Sequence, residues 1–449
     1  MFFQKFNNYK FKMRKSVSVS NKTFGSTQSV FMQKKLKSLA ESGYLVDSYN
    51  AIWSLEKSKG AKIWNETENR AYLNFHGGYG SDPLGHNHPE IEELMGKESP
   101  ALFNNKIACA DFYTDYLVDY VETFQRVMIP EWAKVAPLFF IDGGAAANDN
   151  AIKIAQDYVV QTTGISENTD ILHLSNSFAG RSGSTMGVTN TDPHKTKHFS
   201  KPYWPCVDYG KKYSPDQDEQ ILFRIQQNVY FGELGGIMVE PIQCEGGDIH
   251  LSTNLLQGIQ KICNHHDIPF IVDEIQTGGF STGLPWCHQH HGIQPDIVTF
   301  GKKLQQCGVW VGPKIAEFKE GAIRTSGRIS STWNGTLVGM TRGKHIMNTI
   351  MNNKIQENVV AREKQFINEM RDITLPMSVN AHNIRGKGVI LAFDCINGEE
   401  RDKLIKKLYD SQMLALGAGE KTVRLRPNLA VTKDEMEEAI QIIHKCLKE

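Results

Sequence analysis

Residues 269–278 read Pro-Phe-Ile-Val-Asp-Glu-Ile-Gln-Thr-Gly, and residues 295–302 read Pro-Asp-Ile-Val-Thr-Phe-Gly-Lys. Each contains a short apolar run rich in β-forming residues and too short for a globular helix, which predicts two buried strands. Asp273 closes the first strand and Lys302 follows the second. Strands alternate with helical patterns around them, so we expect a largely parallel sheet covered by helices. Because such sheets gather ligands at the carboxyl ends of their strands, an acid and a lysine are predicted at one site.

That pair of residues suits one cofactor, pyridoxal phosphate. This cofactor takes a lysine amine for its Schiff base, and an Asp against its pyridine nitrogen when it serves as an electron sink. Each residue alone has a commoner explanation, since an Asp after a strand often caps a loop and a single lysine usually lies on the surface. Together, Asp273 and Lys302 favour the cofactor site.

Both motifs resemble the signature of class-III aminotransferases, through Asp273-Glu274-Ile275-Gln276-Thr277-Gly278 and Gly301-Lys302. The longer run from Phe300 to Gly308 is similar in particular to L-lysine 6-aminotransferases. The Gly-Lys order of the family points to Lys302, rather than Lys303, as the cofactor lysine. The resemblance implies an α/β protein of the pyridoxal-phosphate-dependent transferase fold type I. Its large domain would hold a mostly parallel seven-stranded sheet, and a smaller α+β domain would come from both chain ends.

The resemblance also sets the expected domain boundaries. Residues 1–29 are predicted to be a basic extension, 30–94 the first part of the small domain, 95–345 the large cofactor-binding domain and 346–449 the rest of the small domain. Residues 1–40 contain nine Lys or Arg and no acid. This composition is typical of a mitochondrial presequence, but also of a disordered basic tail. An intracellular protein of the cytoplasm or the mitochondrion is therefore expected.

Bulk composition excludes several kinds of partner. Among 449 residues, 50 are Lys or Arg and 50 are Asp or Glu, so no net field attracts nucleic acid or an anionic membrane. No apolar run approaches the roughly 18 residues of a transmembrane helix. The eight cysteines are scattered without a Cys-x-x-Cys pair, which argues against a disulfide or zinc framework and for a reducing compartment. No metal site is predicted.

A phosphate site is predicted where Gly143 and Gly144 join a strand to a helix rich in alanine. Paired glycines let backbone amides approach an oxyanion, and a helix amino terminus adds partial positive charge. In resembling proteins this turn holds the cofactor phosphate, with Gly144 and Ala145 in the binding positions. Most class-III members have Ser where Ala145 stands, whereas L-lysine 6-aminotransferases tend to have Ala.

The resemblance assigns three further side chains to the cofactor and the substrate. Phe178 would stack on the pyridine face, Gln276 would bond the ring hydroxyl, and Arg181 would bind the α-carboxylate of the substrate. Arginine suits a carboxylate because its planar fork donates two parallel hydrogen bonds. Outside its motif, Phe178 could equally be a core residue. Ala179 stands in place of the usual His, which leaves the contact of that position open.

The last group of expected site residues lies in three separate motifs. Thr332 resembles the threonine that reaches the cofactor phosphate of a neighbouring subunit, which implies a homodimer with shared active sites. Ser330 stands where close relatives have Asn, beside the substrate. Arg424 matches the functional arginine of the family. Glu245 would neutralise Arg424 while lysine is bound and swing away for 2-oxoglutarate.

The resemblance implies transfer of the terminal amino group of L-lysine to 2-oxoglutarate. The products would be L-2-aminoadipate 6-semialdehyde and L-glutamate, formed by a ping-pong mechanism. Three alternatives stay open from the sequence. One is another ω-aminotransferase, acting on ornithine or 4-aminobutyrate. A second is a pyridoxal-phosphate-dependent isomerase of the same fold. The third, an inactive scaffold, is disfavoured because Lys302 and Asp273 are both present.

Overall fold

The structure is a computed structural model that describes residues 27–44, 49–134, 136–165, 169–210, 212–374 and 381–448. The predicted basic extension therefore lies almost entirely outside the described residues. Two compact units are formed: the described residues of Met1–Ser54 with Trp64–Arg70, and Leu55–Ile63 with Ala71–Glu449. The expected boundaries at residues 94 and 345 stay a prediction.

The secondary structure alternates between helices and strands along most of the described chain. The α-helices are Thr27–Glu41, Gly77–Gly80, Pro89–Gly96, Pro100–Asn104, Asp115–Val127, Gly144–Thr163, Thr185–Val188, Asp218–Phe231, Thr253–His265, Pro313–Ala316, Leu337–Asn352, Ile355–Thr374, Gly398–Asp410 and Lys433–Lys448. The strands are Trp53–Lys59, Lys62–Asn65, Arg70–Asn74, Leu138–Ile141, Asp170–Leu174, Cys206–Val207, Leu234–Val239, Ile242–Gln243, Ile249–His250, Phe270–Asp273, Ile297–Phe300, Cys307–Val311, His382–Lys387, Ile390–Asp394, Met413–Leu414, Leu416–Ala418 and Thr422–Leu425. Within the described ranges, no helix is long and apolar enough to cross a membrane.

A seven-stranded sheet forms the centre of the larger unit. From one edge to the other, its strands are Leu138–Ile141, Cys307–Val311, Ile297–Phe300, Phe270–Asp273, Leu234–Val239, Asp170–Leu174 and Cys206–Val207. Cys307–Val311 is antiparallel to both of its neighbours, and the other recorded pairings are parallel. The predicted mostly parallel seven-stranded sheet is thus confirmed.

The two sequence stretches that predicted buried strands lie side by side at the middle of this sheet. Phe270–Asp273 is buried along its whole length. Ile271 belongs to the hydrophobic cluster that includes the helix Gly144–Thr163, whereas Phe270 and Val272 belong to the cluster that includes the helix Thr253–His265. Because side chains alternate between the faces of a strand, a sheet covered on both faces needs the continuous apolar run seen here.

The sequence predicts a helix that Ser252 caps and that returns to the Asp273 strand as a crossover. This helix is Thr253–His265, which connects two neighbouring parallel strands of the sheet. Ser252 is its N-cap, and the Oγ of Ser252 accepts a hydrogen bond of 2.9 Å from the backbone amide of Leu255. The apolar face of the helix then buries Leu255, Leu256, Ile259 and Cys263. This crossover sets the direction of Phe270–Asp273 and so points the carboxyl end of that strand, with Asp273, to the ligand edge.

The connection between Ile297–Phe300 and Cys307–Val311 is short, because these strands are antiparallel neighbours. Phe300 pairs with Gly308, so Lys302 lies in the loop that joins the two strands. The backbone φ of Lys302 is +49°, in the left-handed region that non-glycine residues seldom adopt. Such strained positions are characteristic of functional sites.

The carboxy-terminal part of the chain forms a separate antiparallel sheet. Taken alone, the sequence from Ile384 to Asp394 predicts a single strand. This prediction is wrong, because the structure has a hairpin of His382–Lys387 and Ile390–Asp394. Gly388 has φ +62°, and the chain reverses there. Ile390–Asp394 also pairs with Thr422–Leu425, which buries Arg424 at only 1% exposure.

Apolar spacing from Phe31 through Leu39 predicts a first helix, and the smaller unit contains it as Thr27–Glu41. The side chain of Gln33, on this helix, donates a hydrogen bond of 3.3 Å to the backbone carbonyl of Thr67. Asn65 accepts a bond of 2.9 Å from the amide of Thr67 and so shapes the same turn. These contacts hold the helix against the turn within this unit.

Candidate active site

Asp273 occupies the carboxyl end of the central strand and is 6% exposed. Its Oδ2 accepts a hydrogen bond of 2.7 Å from Asn148 Nδ2, and its Oδ1 accepts one of 2.9 Å from the amide of Ile275. Burial raises the pKa of Asp273 to about 6, although these hydrogen bonds and the charge of Lys302 act to lower it. The carboxyl group is therefore held in place and prepared to receive a positive charge.

The two neighbouring lysines after the strand Ile297–Phe300 have different surroundings. The Nζ of Lys303 donates a hydrogen bond of 2.8 Å to the backbone carbonyl of Asp82, and burial lowers the pKa of Lys303 to about 8. Burial, and then the charge of Arg424, also lower the pKa of Lys302. A lowered pKa increases the fraction of neutral amine, which a nucleophile needs. Since Lys303 serves as an anchor for the backbone near Asp82, the geometry favours Lys302 as the reactive lysine.

The predicted phosphate turn begins the 20-residue helix Gly144–Thr163. Gly143 is the N-cap residue and no side chain of the described residues caps the helix there. The loop of Gly180 packs tightly against this turn, because a Cβ on Gly180 would lie 2.6 Å from Ala145 Cβ. An uncapped helix amino terminus at the carboxyl edge of the sheet is suited to an anion such as phosphate.

Phe178 lies on the loop after the strand Asp170–Leu174. Its backbone amide donates a hydrogen bond of 2.9 Å to Glu240 Oε1. Ala179, where the family usually has His, lines a small cavity together with Phe178, Glu240 and Asp273. Burial, and then the negative charge of Asp273, raise the pKa of Glu240 well above its usual value. A small cavity thus lies beside two buried carboxyl groups.

Arg424 and Glu245 form a salt bridge near the carboxyl groups of Glu240 and Asp273. Arg424 Nη2 lies 2.5 Å from Glu245 Oε2, and Lys195 Nζ lies 2.7 Å from the other oxygen of Glu245. The guanidinium carbon of Arg424 lies 5.9 Å from the ring centre of Tyr79. Burial alone would raise the pKa of Glu245, but the positive charges of Arg424 and Lys195 lower it to about 2. Glu245 is therefore a carboxylate shared by two cations.

Gln276 is oriented by a second buried arginine. Arg426 Nε donates a hydrogen bond of 2.9 Å to Gln276 Oε1, and both terminal nitrogens of Arg426 bind the carboxylate of Asp248. Arg426 is 1% exposed and Asp248 is fully buried. Because its oxygen is engaged, the side chain of Gln276 presents its amide nitrogen as the group that can donate to a ligand.

Three other predicted site residues lie in exposed loops. Arg181 is exposed shortly after Phe178, and Ser330 and Thr332 are exposed on the loop before the helix Leu337–Asn352. The contact of Arg181 with a substrate and that of Thr332 with a neighbouring subunit stay predictions. The buried residues Asp273 and Arg424 lie with the half-buried residues Gln276, Glu245 and Lys302 at the carboxyl edge of the large sheet.

A family model described as class-III aminotransferase matches residues 44–447, which is nearly the whole chain. The chain belongs to the class-III aminotransferases. This membership confirms the resemblance seen in the strand-end motifs and the fold expected from it. The donor and acceptor of a class-III aminotransferase are an amino compound and a 2-oxo acid.

Several relatives of this class-III aminotransferase share most of its length. The L-lysine-epsilon aminotransferase of Streptomyces clavuligerus is 36% identical over 421 residues, which cover 90% of this chain and 92% of the relative. That of Amycolatopsis lactamdurans is 34% identical, with 90% and 93% covered. A solved structure of the lysine aminotransferase from M. tuberculosis in the internal aldimine form has a TM-score of 0.87 and 31% identity, and covers 93% of this chain and 99% of that one.

Class-III aminotransferases depend on pyridoxal 5′-phosphate, which is therefore the cofactor of this enzyme. The residues present fit it on three observations. Asp273 is a buried acid, and a pyridinium beside it would lower its raised pKa. Lys302 is a half-buried amine with a lowered pKa, and the helix at Gly144 starts without a capping side chain. These features match the ring nitrogen, the aldehyde and the phosphate of the cofactor, respectively.

Sequence reasoning missed four residues of this aminotransferase site: Asn148, Lys195, Glu240 and Arg426. Three of them had a signal in the sequence. Asn148 belongs to an Asn-Asp-Asn run near the start of its helix, and Arg426 follows Arg424 at the spacing that puts side chains on one face of a strand. Glu240 directly follows the buried strand Leu234–Val239, as Asp273 closes its own strand. Lys195 had none, because its partners come from distant parts of the chain.

Proposed function

We propose that this enzyme transfers the terminal amino group of L-lysine to 2-oxoglutarate, giving L-2-aminoadipate 6-semialdehyde and L-glutamate. The observation that carries the proposal is the salt bridge of 2.5 Å between the buried Arg424 and the half-buried Glu245. The relatives named as L-lysine-epsilon aminotransferases, at 34% to 36% identity, support it.

The two substrates present their charges differently to the reacting carbon. L-Lysine reacts at the end far from its α-carboxylate, whereas 2-oxoglutarate reacts at the carbon next to its own. An arginine near the reacting carbon therefore has a ligand partner in one half-reaction only. Leaving a buried charge without a partner costs about 3 to 5 kcal/mol, so an internal carboxylate that pairs with Arg424 when lysine is bound is physically reasonable. Glu245 is in the position to serve as that carboxylate.

Asp273 and Lys302 are proposed as the residues that act on the cofactor and on the substrate proton. Bound pyridoxal phosphate supplies an electron sink for the negative charge that develops on the substrate carbon. Asp273, as a carboxylate, would keep a proton on the pyridine nitrogen of the cofactor. Lys302 Nζ would hold the cofactor and would act as the base that moves the proton of the substrate carbon. The lowered pKa of Lys302 supports this use as a base.

The remaining residues are proposed to bind and orient. Gly144 and Ala145 would hold the phosphate at the helix amino terminus, and Phe178 would lie on the ring face. The free amide nitrogen of Gln276, oriented by Arg426, would donate to the ring hydroxyl.

Substrate and subunit contacts complete the proposal. Arg181 would bind the α-carboxylate of lysine, beside Ser330. Thr332 would reach the cofactor phosphate of a second subunit, so we propose a homodimer. Its compartment, cytoplasmic or mitochondrial, depends on the basic extension and stays a prediction.

A panel of amine donors with 2-oxoglutarate tests the function. Purified enzyme loaded with cofactor is given L-lysine, L-ornithine, N-acetylornithine or 4-aminobutyrate, and glutamate is measured with glutamate dehydrogenase. We expect L-lysine to have the highest kcat/KM and to yield a semialdehyde that cyclises and can be detected by mass. A higher value for another donor would replace lysine with that donor, and product from lysine without glutamate would favour the isomerase.

Replacing Glu245 with alanine is expected to affect the two half-reactions unequally. Without this carboxylate, Arg424 is left unpaired when lysine is bound, but it still pairs with the α-carboxylate of glutamate. A penalty of about 3 kcal/mol corresponds to a loss of roughly 100-fold in the lysine half-reaction. The rate constants of the two half-reactions are measured separately, from single-turnover absorbance changes of the cofactor.

A matched control for this variant is Glu219→Ala, which removes an exposed glutamate from the helix Asp218–Phe231. It should leave both half-reactions unchanged. Equal losses in the lysine and glutamate half-reactions of Glu245→Ala would contradict the role of Glu245 as a switchable partner of Arg424.

A further inference from the structure

The ammonium group of Lys195 is held by three partners. Lys195 is the last residue of the short 3-10 helix Pro193–Lys195, and its side chain is 13% exposed. Its Nζ lies 2.7 Å from Glu245 Oε1 and 3.1 Å from Thr191 Oγ1. The same nitrogen lies 4.9 Å from the centre of the Phe178 ring, within the range of a cation–π contact. These three partners hold the ammonium group in one place.

Glu245 binds its two cations with different oxygens. Oε1 accepts from Lys195, and Oε2 accepts from Arg424. The bond to Arg424 can therefore break without disturbing the bond to Lys195. A carboxylate that is only 20% exposed would lose favourable interactions if it left Arg424 with no other cation nearby.

We propose that Lys195 is a positioning residue that retains Glu245 when Arg424 binds the α-carboxylate of a dicarboxylate substrate. The inference rests on the proposed function, since it requires Arg424 to exchange Glu245 for a ligand carboxylate. Lys195 makes that exchange easier because Glu245 keeps one of its two ion pairs. Without Lys195, Glu245 would depend on Arg424 alone and would compete with the ligand for it.

The inference predicts an effect opposite to that of removing Glu245. Loss of Lys195 should weaken the binding of glutamate and 2-oxoglutarate, which need Arg424 free. It should affect lysine little, because Glu245 stays on Arg424 in that half-reaction. Lys195 thus favours the half-reaction in which Arg424 binds a ligand carboxylate.

The test measures the dissociation constant of glutarate, an unreactive five-carbon dicarboxylate. It uses isothermal titration calorimetry on the enzyme with and without cofactor. Lys195→Met removes the charge and keeps an apolar stem over Phe178, Lys195→Arg keeps the charge, and Lys197→Met is a control at an exposed lysine nearby. We expect Lys195→Met to weaken glutarate binding by roughly 10-fold, as for coupled neighbouring charges, and Lys195→Arg to restore most of it. Lys197→Met should leave it unchanged.

A double-mutant cycle with Glu245→Ala decides whether Lys195 acts through Glu245. Glu245→Ala should tighten glutarate binding, because Arg424 becomes free. In that background Lys195→Met should add less than about a 2-fold change, since there is no carboxylate left to retain. An equal loss of glutarate affinity in the wild-type and the Glu245→Ala backgrounds would mean that Lys195 contacts the ligand itself. No loss of affinity in either background would mean that Lys195 has no part in binding. Both results overturn the inference.

The lysine half-reaction of Lys195→Met provides a second readout. Its single-turnover rate should fall by a much smaller factor than the affinity for glutarate does, and losses of equal size would also overturn the inference. Failure of the proposed function is distinguishable, because glutarate is not an amine donor. A donor panel that favoured another amine would remove lysine as the substrate while the glutarate cycle still reported on Lys195.

Discussion

Replacing Lys302 with alanine is expected to lower the kcat for glutamate formation by about 1,000-fold or more, since proton transfer by a positioned base alone contributes about 100- to 10,000-fold. The variant also loses the only covalent link proposed between chain and cofactor. Borohydride reduction followed by peptide mass spectrometry should find the cofactor on Lys302 in the wild type and on no lysine in Lys302→Ala. The visible absorbance of the bound cofactor should shift accordingly.

The neighbouring lysine provides the control for this experiment. Lys303 is 3% exposed, and its amine donates to the carbonyl of Asp82. Lys303→Met should therefore still carry the cofactor on Lys302. Labelling of Lys303 in the wild type, or an unchanged kcat in Lys302→Ala, would show that the Gly-Lys order had been assigned to the wrong residue.

Replacing Asp273 with asparagine should lower kcat by about 100-fold or more, by analogy with the loss of one preorganised electrostatic contact in an active site. The neutral amide cannot keep a proton on the ring nitrogen, so the negative charge at the substrate carbon is less well delocalised. Asp296→Asn is the matched control: Asp296 is also buried, but it accepts from the amide of Phe270 at the other end of the strand. It should cost stability while leaving the pH dependence of cofactor binding intact.

The pH dependence of cofactor affinity follows from the raised pKa of Asp273. In the cofactor-free chain this pKa is about 6, so the carboxyl group is charged above that pH and neutral below it. Wild-type affinity for pyridoxal phosphate should therefore fall as pH drops from 7 to 5, because Asp273 must lose its proton to pair with the pyridinium. The same pH profile of affinity is measured for Asp273→Asn and subtracted from that of the wild type, which removes the contribution of the cofactor's own titrating groups. Parallel profiles for the two proteins would contradict this role of Asp273.

The strand-end motifs were predictable because each depends on the pattern of apolar residues within one short segment. Phe270–Asp273 and Ile297–Phe300 are short apolar runs, and the side chains that follow them must lie at the same edge of a parallel sheet. The same logic located the helix at Gly144 and the crossover capped by Ser252. Where the pattern was ambiguous, as from Ile384 to Asp394, the sequence did not reveal the turn at Gly388. A glycine flanked by two alternating runs was the available signal.

The electrostatic surroundings of the site were not predictable in the same way. Arg426 and Asp248 are 178 positions apart, and Lys195 and Glu245 are 50 apart. No periodicity within one element specifies such pairs, since they form only when separate loops pack at one edge. The resemblance to the family supplied Arg424 and Glu245, but it did not supply Lys195, which makes the pair a cluster of three charges.

The loop that carries Lys302 has little freedom in its length. Its other polar side chains bind three separate backbone carbonyls: Lys303 binds that of Asp82, Gln305 that of Ser81 and Gln306 that of Ile141. One added or deleted residue would either shift the antiparallel register of Phe300 with Gly308, which turns side chains to the opposite face, or break these anchors. Homologues with the same chemistry should therefore keep the length of this loop, and the reach of the amine is left to rotations within its own four-carbon chain.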